Sequence, residues 1–417
     1  MPATLLAPDS AAADHVRDLL AARLGSTAIP GIAPARFLAE YVLGRRDGEL
    51  DISGRPADGQ FIPEALAALP RDIVLVDDPQ GVQARVLAGL ATLHTYNDRI
   101  DEARTVAQAA PEAEVIDDLA GLKAPRSSGE TWAVVNAPKA VSALAEVLAR
   151  LQPHVSVLVV IGRSDAMSRA VNKELARGFA RVDVSPGAGK HRLIIGSRPL
   201  SSPSLAELPA HGVIDHPSVG PLQVRAHGAC FSGVKNDEGS ALLLDVLAAE
   251  ANAVAVGGAD PHPTAGLRRR SVLDLGCGNG WLLTAAMRVT QAASGLGVDV
   301  SRAAVASARA TAEANGTDVD FRLIDAAADP AEADAVIDGV FDLILLNPPF
   351  HHGTAIESDT AAAMMRAAAR YLAPGGEVLT VFNSHLRYRE RLERLIGPSR
   401  QAERNAKFTV IASRTAD

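Results

Sequence analysis

Ser271-Val272-Leu273-Asp274-Leu275-Gly276-Cys277-Gly278-Asn279-Gly280 runs from an apolar stretch into a glycine turn, and Trp281 to Val289 then reads as the start of a helix. Strand, tight turn and helix in that order open a βαβ unit. Glycines let the backbone approach a ligand closely, and the first turn of a helix leaves amides without intrahelical partners. The spacing is G-x-G-x-G, with Asp274 ahead of it and no Lys-Ser/Thr behind it, so the turn is not a phosphate-binding P-loop. Gly297-Val298-Asp299-Val300 follows, an acidic strand end 25 positions after Asp274, placed to take ribose hydroxyls as in other βαβ nucleotide sites. Phe321-Arg322-Leu323-Ile324-Asp325 supplies a third strand ending in a carboxylate.

A second stretch, Phe341-Asp342-Leu343-Ile344-Leu345-Leu346-Asn347-Pro348-Pro349-Phe350, ends a buried strand with a polar group, two rigid residues and an aromatic plane. Leu343 to Leu346 reads as a central parallel strand. Pro348 and Pro349 lack amide protons and end it. Asn347 can offer its side-chain oxygen, and Pro348 its carbonyl, to the two hydrogens of one exocyclic amine, while Phe350 can stack on the ring that carries it. His351 and His352 follow and suit substrate contact better than proton transfer or metal ligation.

Around these motifs the chain alternates strands and helices. In the C-terminal half the spacing predicts strands at Val272 to Leu275, Gly297 to Asp299, Asp320 to Ile324, Leu343 to Leu346, Glu377 to Phe382 and Phe408 to Ala412. In the N-terminal half two helical patterns precede strands at Ile73 to Val76, Trp132 to Val135, Val155 to Ile161 and Leu193 to Ile195. Each half reads as a doubly wound α/β sheet. A Pro/Ser/Ala segment, Pro199 to His211, is the linker candidate and divides the chain into residues 1–205 and 206–417. The halves also echo each other: Val134-Val135-Asn136-Ala137-Pro138-Lys139 parallels Leu345 to Phe350, and Ile195-Gly196-Ser197-Arg198 parallels Ile411 to Arg414. Where the glycine turn should stand, the first copy has Asp77-Asp78-Pro79-Gln80-Gly81, so only the second copy is expected to bind a cofactor.

Composition sets outer bounds. A chain of 417 residues with 47% hydrophobic content is long enough for two cores. The apolar runs are too short for a membrane span and Met1 to His15 has no leader pattern, so a cytoplasmic location is expected. The two cysteines, Cys230 and Cys277, make neither a disulfide framework nor a four-ligand zinc site. The formal charge of −8 sits awkwardly with a nucleic-acid partner, yet Arg163 to Arg198 holds eight Lys/Arg against three acidic residues, and Arg387 to Lys407 seven against three.

The chain resembles the class I S-adenosylmethionine-dependent methyltransferases, and more narrowly the ribosomal RNA guanine-N2 methyltransferases. Phe231-Ser232, Asp237-x-Gly239-Ser240, the Asp274 to Gly280 loop, Asn347-Pro348-Pro349-Phe350-His351, Gly375-Gly376-Glu377 and Asn405-x-Lys407-Phe408-Thr409-Val410 carry the resemblance. It implies two tandem Rossmann-like domains, the first degenerate and gripping RNA, the second binding S-adenosylmethionine and methylating ribosomal RNA. Asp274, Gly276, Cys277, Gly278, Asn279, Gly280, Asp299, Val300, Asp325 and Asn347 would hold the cofactor. Asn347, Pro348, Pro349 and Phe350 would serve catalysis, and Phe350 and His351 would meet the substrate, with no metal. The segment Phe231 to Ser240 would cover the cofactor, although Asp237 or Ser240 acting as a helix cap would also explain it. Asn383, His385 and Tyr388 match the large-subunit enzymes somewhat better than the small-subunit ones. Other readings are methylation of adenine or of a protein glutamine, and a cofactor-dead RNA-binding scaffold. The sequence does not identify the oligomeric state; a monomer is favoured.

Overall fold

The computed structural model describes residues 5–25, 29–56, 70–122, 131–255, 271–326, 329–349 and 355–415, with backbone alone at 253–255 and 355–358. The chain divides into two compact units, Met1–Leu208 and Pro209–Asp417. Phe350, His351 and His352 fall outside the described residues. Among the described residues no helix is long and apolar enough to cross a membrane.

In the first unit helices α1 (Ala11–Leu24) and α2 (Ile32–Arg46) precede the alternation. That alternation runs β1 (Asp72–Val76), α3 (Val82–Leu87), β2 (Thr92–Tyr96), α4 (Ile100–Ala109), β3 (Glu114–Val115), β4 (Thr131–Asn136), α5 (Val141–Leu151), β5 (Val157–Arg163), α6 (Arg169–Leu175), β6 (Phe179–Val184) and β7 (His191–Pro199). The second unit opens with the hairpin β8 (Ala210–His216) and β9 (Gly220–Ala226), then α7 (Glu238–Ala255). There follow β10 (Ser271–Leu275), α8 (Trp281–Thr290), β11 (Ser294–Asp299), α9 (Arg302–Ala314), β12 (Asp320–Leu323), α10 (Pro330–Asp334), β13 (Phe341–Leu346), α11 (Ala355–Tyr371), β14 (Leu372–Asn383), α12 (Arg389–Leu395), β15 (Ser399–Arg404) and β16 (Phe408–Arg414).

Both units carry a seven-stranded sheet of one topology, β3-β2-β1-β4-β5-β7-β6 and β12-β11-β10-β13-β14-β16-β15. The strands of each sheet are parallel except for β7 and β16, each of which runs antiparallel to both of its neighbours. Strand order reverses between β1 and β4, and again between β10 and β13, and the crevice at the carboxyl ends of such strands is where open α/β sheets bind ligands. The apolar runs are continuous because both faces of the central strands are buried. Leu343 and Leu345 enter one cluster with Leu243, Leu247 and Trp281, whereas Ile344 and Leu346 enter another with Met365, Tyr371 and Ile396. Ile73 and Val74 divide in the same way in the first unit.

The structure adds strands that the sequence patterns do not announce: β2, β3, β6, β8, β9 and β15. The expected linker is shorter than Pro199 to His211, since β7 includes Pro199 and β8 begins at Ala210. Hairpin β8–β9 has an unusual partner for its free edge. The amides of Gln223, Arg225 and His227 donate to Asn315 Oδ1 (3.0 Å), Thr311 Oγ1 (3.0 Å) and Ser307 Oγ (2.8 Å), side chains spaced along one face of α9. Alternate residues of a strand edge thereby match every fourth residue of a helix.

Candidate active site

β10 ends at Leu275, and the next five residues turn back into α8 with Gly276, Gly278 and Gly280 at φ of 85°, 53° and 74°. The Gly276 and Cys277 amides donate to the Val298 carbonyl at 2.8 and 3.0 Å, which fixes the turn to β11. The three glycines answer different demands. A Cβ at Gly280 would lie 2.7 Å from the Ala308 backbone of α9, so packing alone requires glycine there. A Cβ at Gly278 would meet nothing within 4 Å, so that position faces open space. The Gly278 amide donates to Asp299 Oδ2 (3.0 Å), and Asp299 Oδ1 accepts from the Ser301 amide (3.0 Å). Asp299 therefore ties the turn to the end of β11. Asn279 reaches the other way: its Nδ2 donates to the Gly233 carbonyl (2.8 Å), joining the turn to the loop that carries Phe231.

Asp274 lies beneath the turn, 2% exposed. Its Oδ2 is buried with no hydrogen-bond partner. Burial, aided by the negative charge of Asp299, pushes its carboxyl up to about 8. Burial also pushes the Cys277 thiol well above its ordinary value and keeps it protonated. A buried carboxyl whose Oδ2 has no hydrogen-bond partner, beside glycine backbone and open space, stays protonated near pH 7 while unpaired and would ionise against a cationic ligand group such as an amine. Val300 stands half-buried after β11 and Asp325 half-buried after β12, where the Ile324 amide donates to the Asp299 carbonyl (2.9 Å).

Asn347 follows directly on β13, whose Leu346 pairs with Leu275 of β10, so the asparagine stands beside the glycine turn across the sheet reversal. Its Nδ2 donates to Asp237 Oδ2 (2.8 Å) and to Ser240 Oγ (3.0 Å). Pro348 is buried and Pro349 exposed. Sequence reasoning offered Asp237 or Ser240 as the helix cap, and it is Asp237 Oδ2 that accepts from the Ser240 amide (2.8 Å). It missed the bonds to Asn347. An acid three residues before a serine signals a helix start and says nothing of a partner 110 positions away.

Comparison with known proteins fits this geometry. The family described as "Methyltransferase small domain" matches residues 221–412. The Streptomyces coelicolor protein named ribosomal RNA large subunit methyltransferase G is 35% identical over 293 residues, covering 67% of this chain and 70% of that relative. The chain belongs to this methyltransferase family. The methyltransferase is also 30% identical over 357 residues to the same-named protein of Streptomyces griseus, covering 81% of this chain and 85% of that one. It is 35% identical over 199 residues to the Pseudomonas aeruginosa ribosomal RNA small subunit methyltransferase C, covering 47% and 52% of the two chains. In fold it is similar to a T. thermophilus 16S rRNA N2 methyltransferase solved in complex with AdoMet and guanosine, at a TM-score of 0.68 and 23% identity over 83% of this chain and 88% of that one. That likeness spans both units of the methyltransferase and meets the expectation of two tandem Rossmann-like folds.

Proposed function

We propose that this chain transfers a methyl group from S-adenosylmethionine to the exocyclic N2 amine of one guanine in ribosomal RNA, in the cytoplasm, and that the second unit alone carries the chemistry. The observation behind this reading is the Asn347 amide. Both its hydrogens are engaged by Asp237 and Ser240, and its Oδ1 takes no hydrogen bond from any described residue. An amide held this way presents an acceptor, and an acceptor is what an amine needs.

The cofactor supplies an electrophilic methyl on a sulfonium. The turn Gly276, Cys277, Gly278, Asn279 and Gly280 gives backbone for it to lie against, Asp274 faces its ammonium end, Asp299 with Val300 its ribose, and Asp325 its adenine edge. A guanine amine is a poor nucleophile because its lone pair is delocalised into the ring. Two acceptors, Asn347 Oδ1 and the Pro348 carbonyl, draw its hydrogens to one side and localise the lone pair on the other. With S-adenosylmethionine bound, that lone pair would take the methyl from sulfur, which would keep the bonding pair, and the methylated amine would lose its extra proton to water. Positioning and preorganised electrostatics carry the acceleration. Phe350, on sequence grounds, stacks on the extruded base, with Pro349 stiffening the turn between them and His351 adjoining the base.

The first unit, in this reading, binds RNA and no cofactor. Three of the eight cations in Arg163 to Arg198 pair with the three acids of that window, Arg163 with Asp165, Arg177 with Glu174 and Arg181 with Asp183. Arg169, Lys173, Lys190 and Arg198 are exposed and take part in no ion pair among the described residues. Large-subunit RNA is the first substrate to try. Mass mapping of methylated nucleosides in rRNA from cells with and without the gene tests the proposal, with purified protein and both subunit RNAs as the second arm. The expected result is one N2-methylguanosine lost in vivo and restored in vitro. Unchanged guanine methylation in both arms overturns it.

A further inference from the structure

Three segments far apart in sequence meet around Asn347. Asp237 stands one residue before α7, and its Oδ2 accepts two hydrogen bonds, from the Ser240 amide and from Asn347 Nδ2, each at 2.8 Å. Ser240, 8% exposed, offers its Oγ to the same Nδ2 at 3.0 Å. The start of α7 is in turn held by the turn between β15 and β16. Asn405 Oδ1 accepts from the Lys407 and Phe408 amides at 2.9 and 2.7 Å, which shapes that turn. The Phe408 ring lies 3.4 Å from where a Cβ on Gly239 would be, and Lys407 Nζ pairs with Glu238 at 2.7 Å. That ion pair is exposed and contributes little. The ring packs against the glycine.

We propose that Asp237 and Ser240 are positioning residues for the methyl transfer, which fix the Asn347 amide in the one orientation that offers oxygen to the substrate amine. The proposal rests on the reading above that Asn347 Oδ1 accepts that amine. The terminal torsion of asparagine is broad and two-fold, so an unrestrained amide samples both faces. Turned over, Asn347 would present N–H groups to the N–H groups of the base. A carboxylate accepts and cannot donate, so the atom facing Asp237 must be Nδ2. Ser240 engages the second hydrogen, and the two bonds together block the flip. The bond to Asp237 is charge-assisted, and by polarising the amide it also makes Oδ1 a better acceptor.

Ser240→Ala is the cleanest probe, because it removes the hydroxyl and leaves the backbone amide that Asp237 caps. Single-turnover methylation by the full-length protein should slow by about 5- to 10-fold in Ser240→Ala and about 10- to 100-fold in Asp237→Ala, the scale of a neutral and a charge-assisted hydrogen bond. S-adenosylmethionine affinity and the RNA concentration at half-saturation should stay close to wild type. Asp237→Asn, which can still accept both bonds through one oxygen but without the charge, should recover part of the loss. On an Asn347→Ala background, Asp237→Ala should cost no more than about 2-fold further, since residues acting through one group are not additive. An equal loss on both backgrounds means that Asp237 acts only by capping α7, and overturns the proposal. A second readout needs no substrate: the Asn347 side-chain amide protons should be protected from exchange in wild type and released in Asp237→Ala. If wild type leaves every rRNA guanine unmodified, the substrate reading falls, while this exchange measurement still decides the clamp. Protons that exchange equally in both proteins overturn it.

Discussion

The two units place an asparagine at the end of the equivalent strand of their equivalent sheets and differ in what they do with its amide oxygen. Val135 pairs with Val76 and Leu346 with Leu275, so Asn136 and Asn347 are the next residues in equivalent registers. In the first unit Asn136 Oδ1 accepts from Gln83 Nε2 (2.6 Å) and Nδ2 donates to the Val76 carbonyl (3.4 Å). The acceptor is closed off from inside by α3. In the second unit the nitrogen is engaged, and the oxygen has no partner among the described residues.

The turns differ in the same sense. Counted from the ends of β1 and β10, Asp77, Pro79 and Gly81 stand where Gly276, Gly278 and Gly280 stand. The Asp77 amide donates to the Tyr96 carbonyl at 2.8 Å, as the Gly276 amide does to Val298. Gly81 is kept, with a Cβ there only 2.6 Å from Ala109, matching the crowding of Gly280 against Ala308. The first unit therefore retains the glycine that packing requires and lacks the other two, of which Gly278 borders open space. Pro79 also removes the amide that in the second unit bonds Asp299. The tie between turn and second strand is reversed: Asp77 Oδ1 accepts from the Asp98 amide (2.9 Å), whereas Asp299 accepts from the Gly278 amide. A sheet topology survives such exchange because it is set by strand burial, while ligand binding is set by a few backbone positions.

The largest effect that can break this comparison is on cofactor binding. Calorimetry on the full chain should find one S-adenosylmethionine per chain, and Gly278→Val should abolish it by filling the open space, at a folding cost of about 1–2 kcal/mol for a side chain at positive φ. Residual saturable binding in that variant would place a second cofactor site in the first unit. Next in size is the asparagine pair. Asn347→Ala should slow methyl transfer by about 10²-fold or more with cofactor binding intact, and Asn136→Ala should leave the rate unchanged; equal losses would end the distinction between the units. Smaller again is the charge test. Replacing Arg169, Lys173, Lys190 and Arg198 by Glu should weaken RNA binding and reduce its salt slope by up to about 4, without touching cofactor affinity. An unaltered salt series would make that face a merely solvated one.

The smallest effect is on stability against pH. Burial pushes the Asp77 carboxyl up to about 7 and the Asp274 carboxyl up to about 8. Each folded-state value lies above the unfolded one near 4, so the folded protein binds more protons in between, and stability falls as pH rises from about 4 to about 7 for Asp77 and to about 8 for Asp274. Thermal scans of the ligand-free protein should show that decline, flatter in Asp77→Asn over the lower part and in Asp274→Asn up to the higher limit. Slopes identical to wild type in both variants would remove these carboxyls as its source.

Much of the fold was legible from hydrophobic runs. Strands β1, β4, β5, β7, β10, β11, β12, β13, β14 and β16 all stand where an apolar or acid-ended stretch announced them. Among the missed strands, β6, β8, β9 and β15 carry polar or charged residues at alternate or edge positions, and β9 pairs only with β8, its other edge bonding a helix face. The internal echo held in one register and slipped in another. Asn136 matches Asn347, but Ile195 lies across from Val159 as Ala412 does from Leu379, so Ile195 corresponds to Ala412 and not to Ile411.

By itself the sequence determined the alternation of strand and helix, the glycine turn, and the asparagine that follows a buried strand, because each is written in neighbouring residues through local sterics and period. It could not reveal that a carboxylate 110 positions upstream holds that asparagine's nitrogen, that a phenylalanine near the C-terminus packs on Gly239, or that Gln83 closes the equivalent acceptor in the first unit. Those contacts join side chains whose spacing in the chain carries no period. They exist only once the sheets have formed and the helices have been laid against them, and it is there that the orientation of one amide was decided.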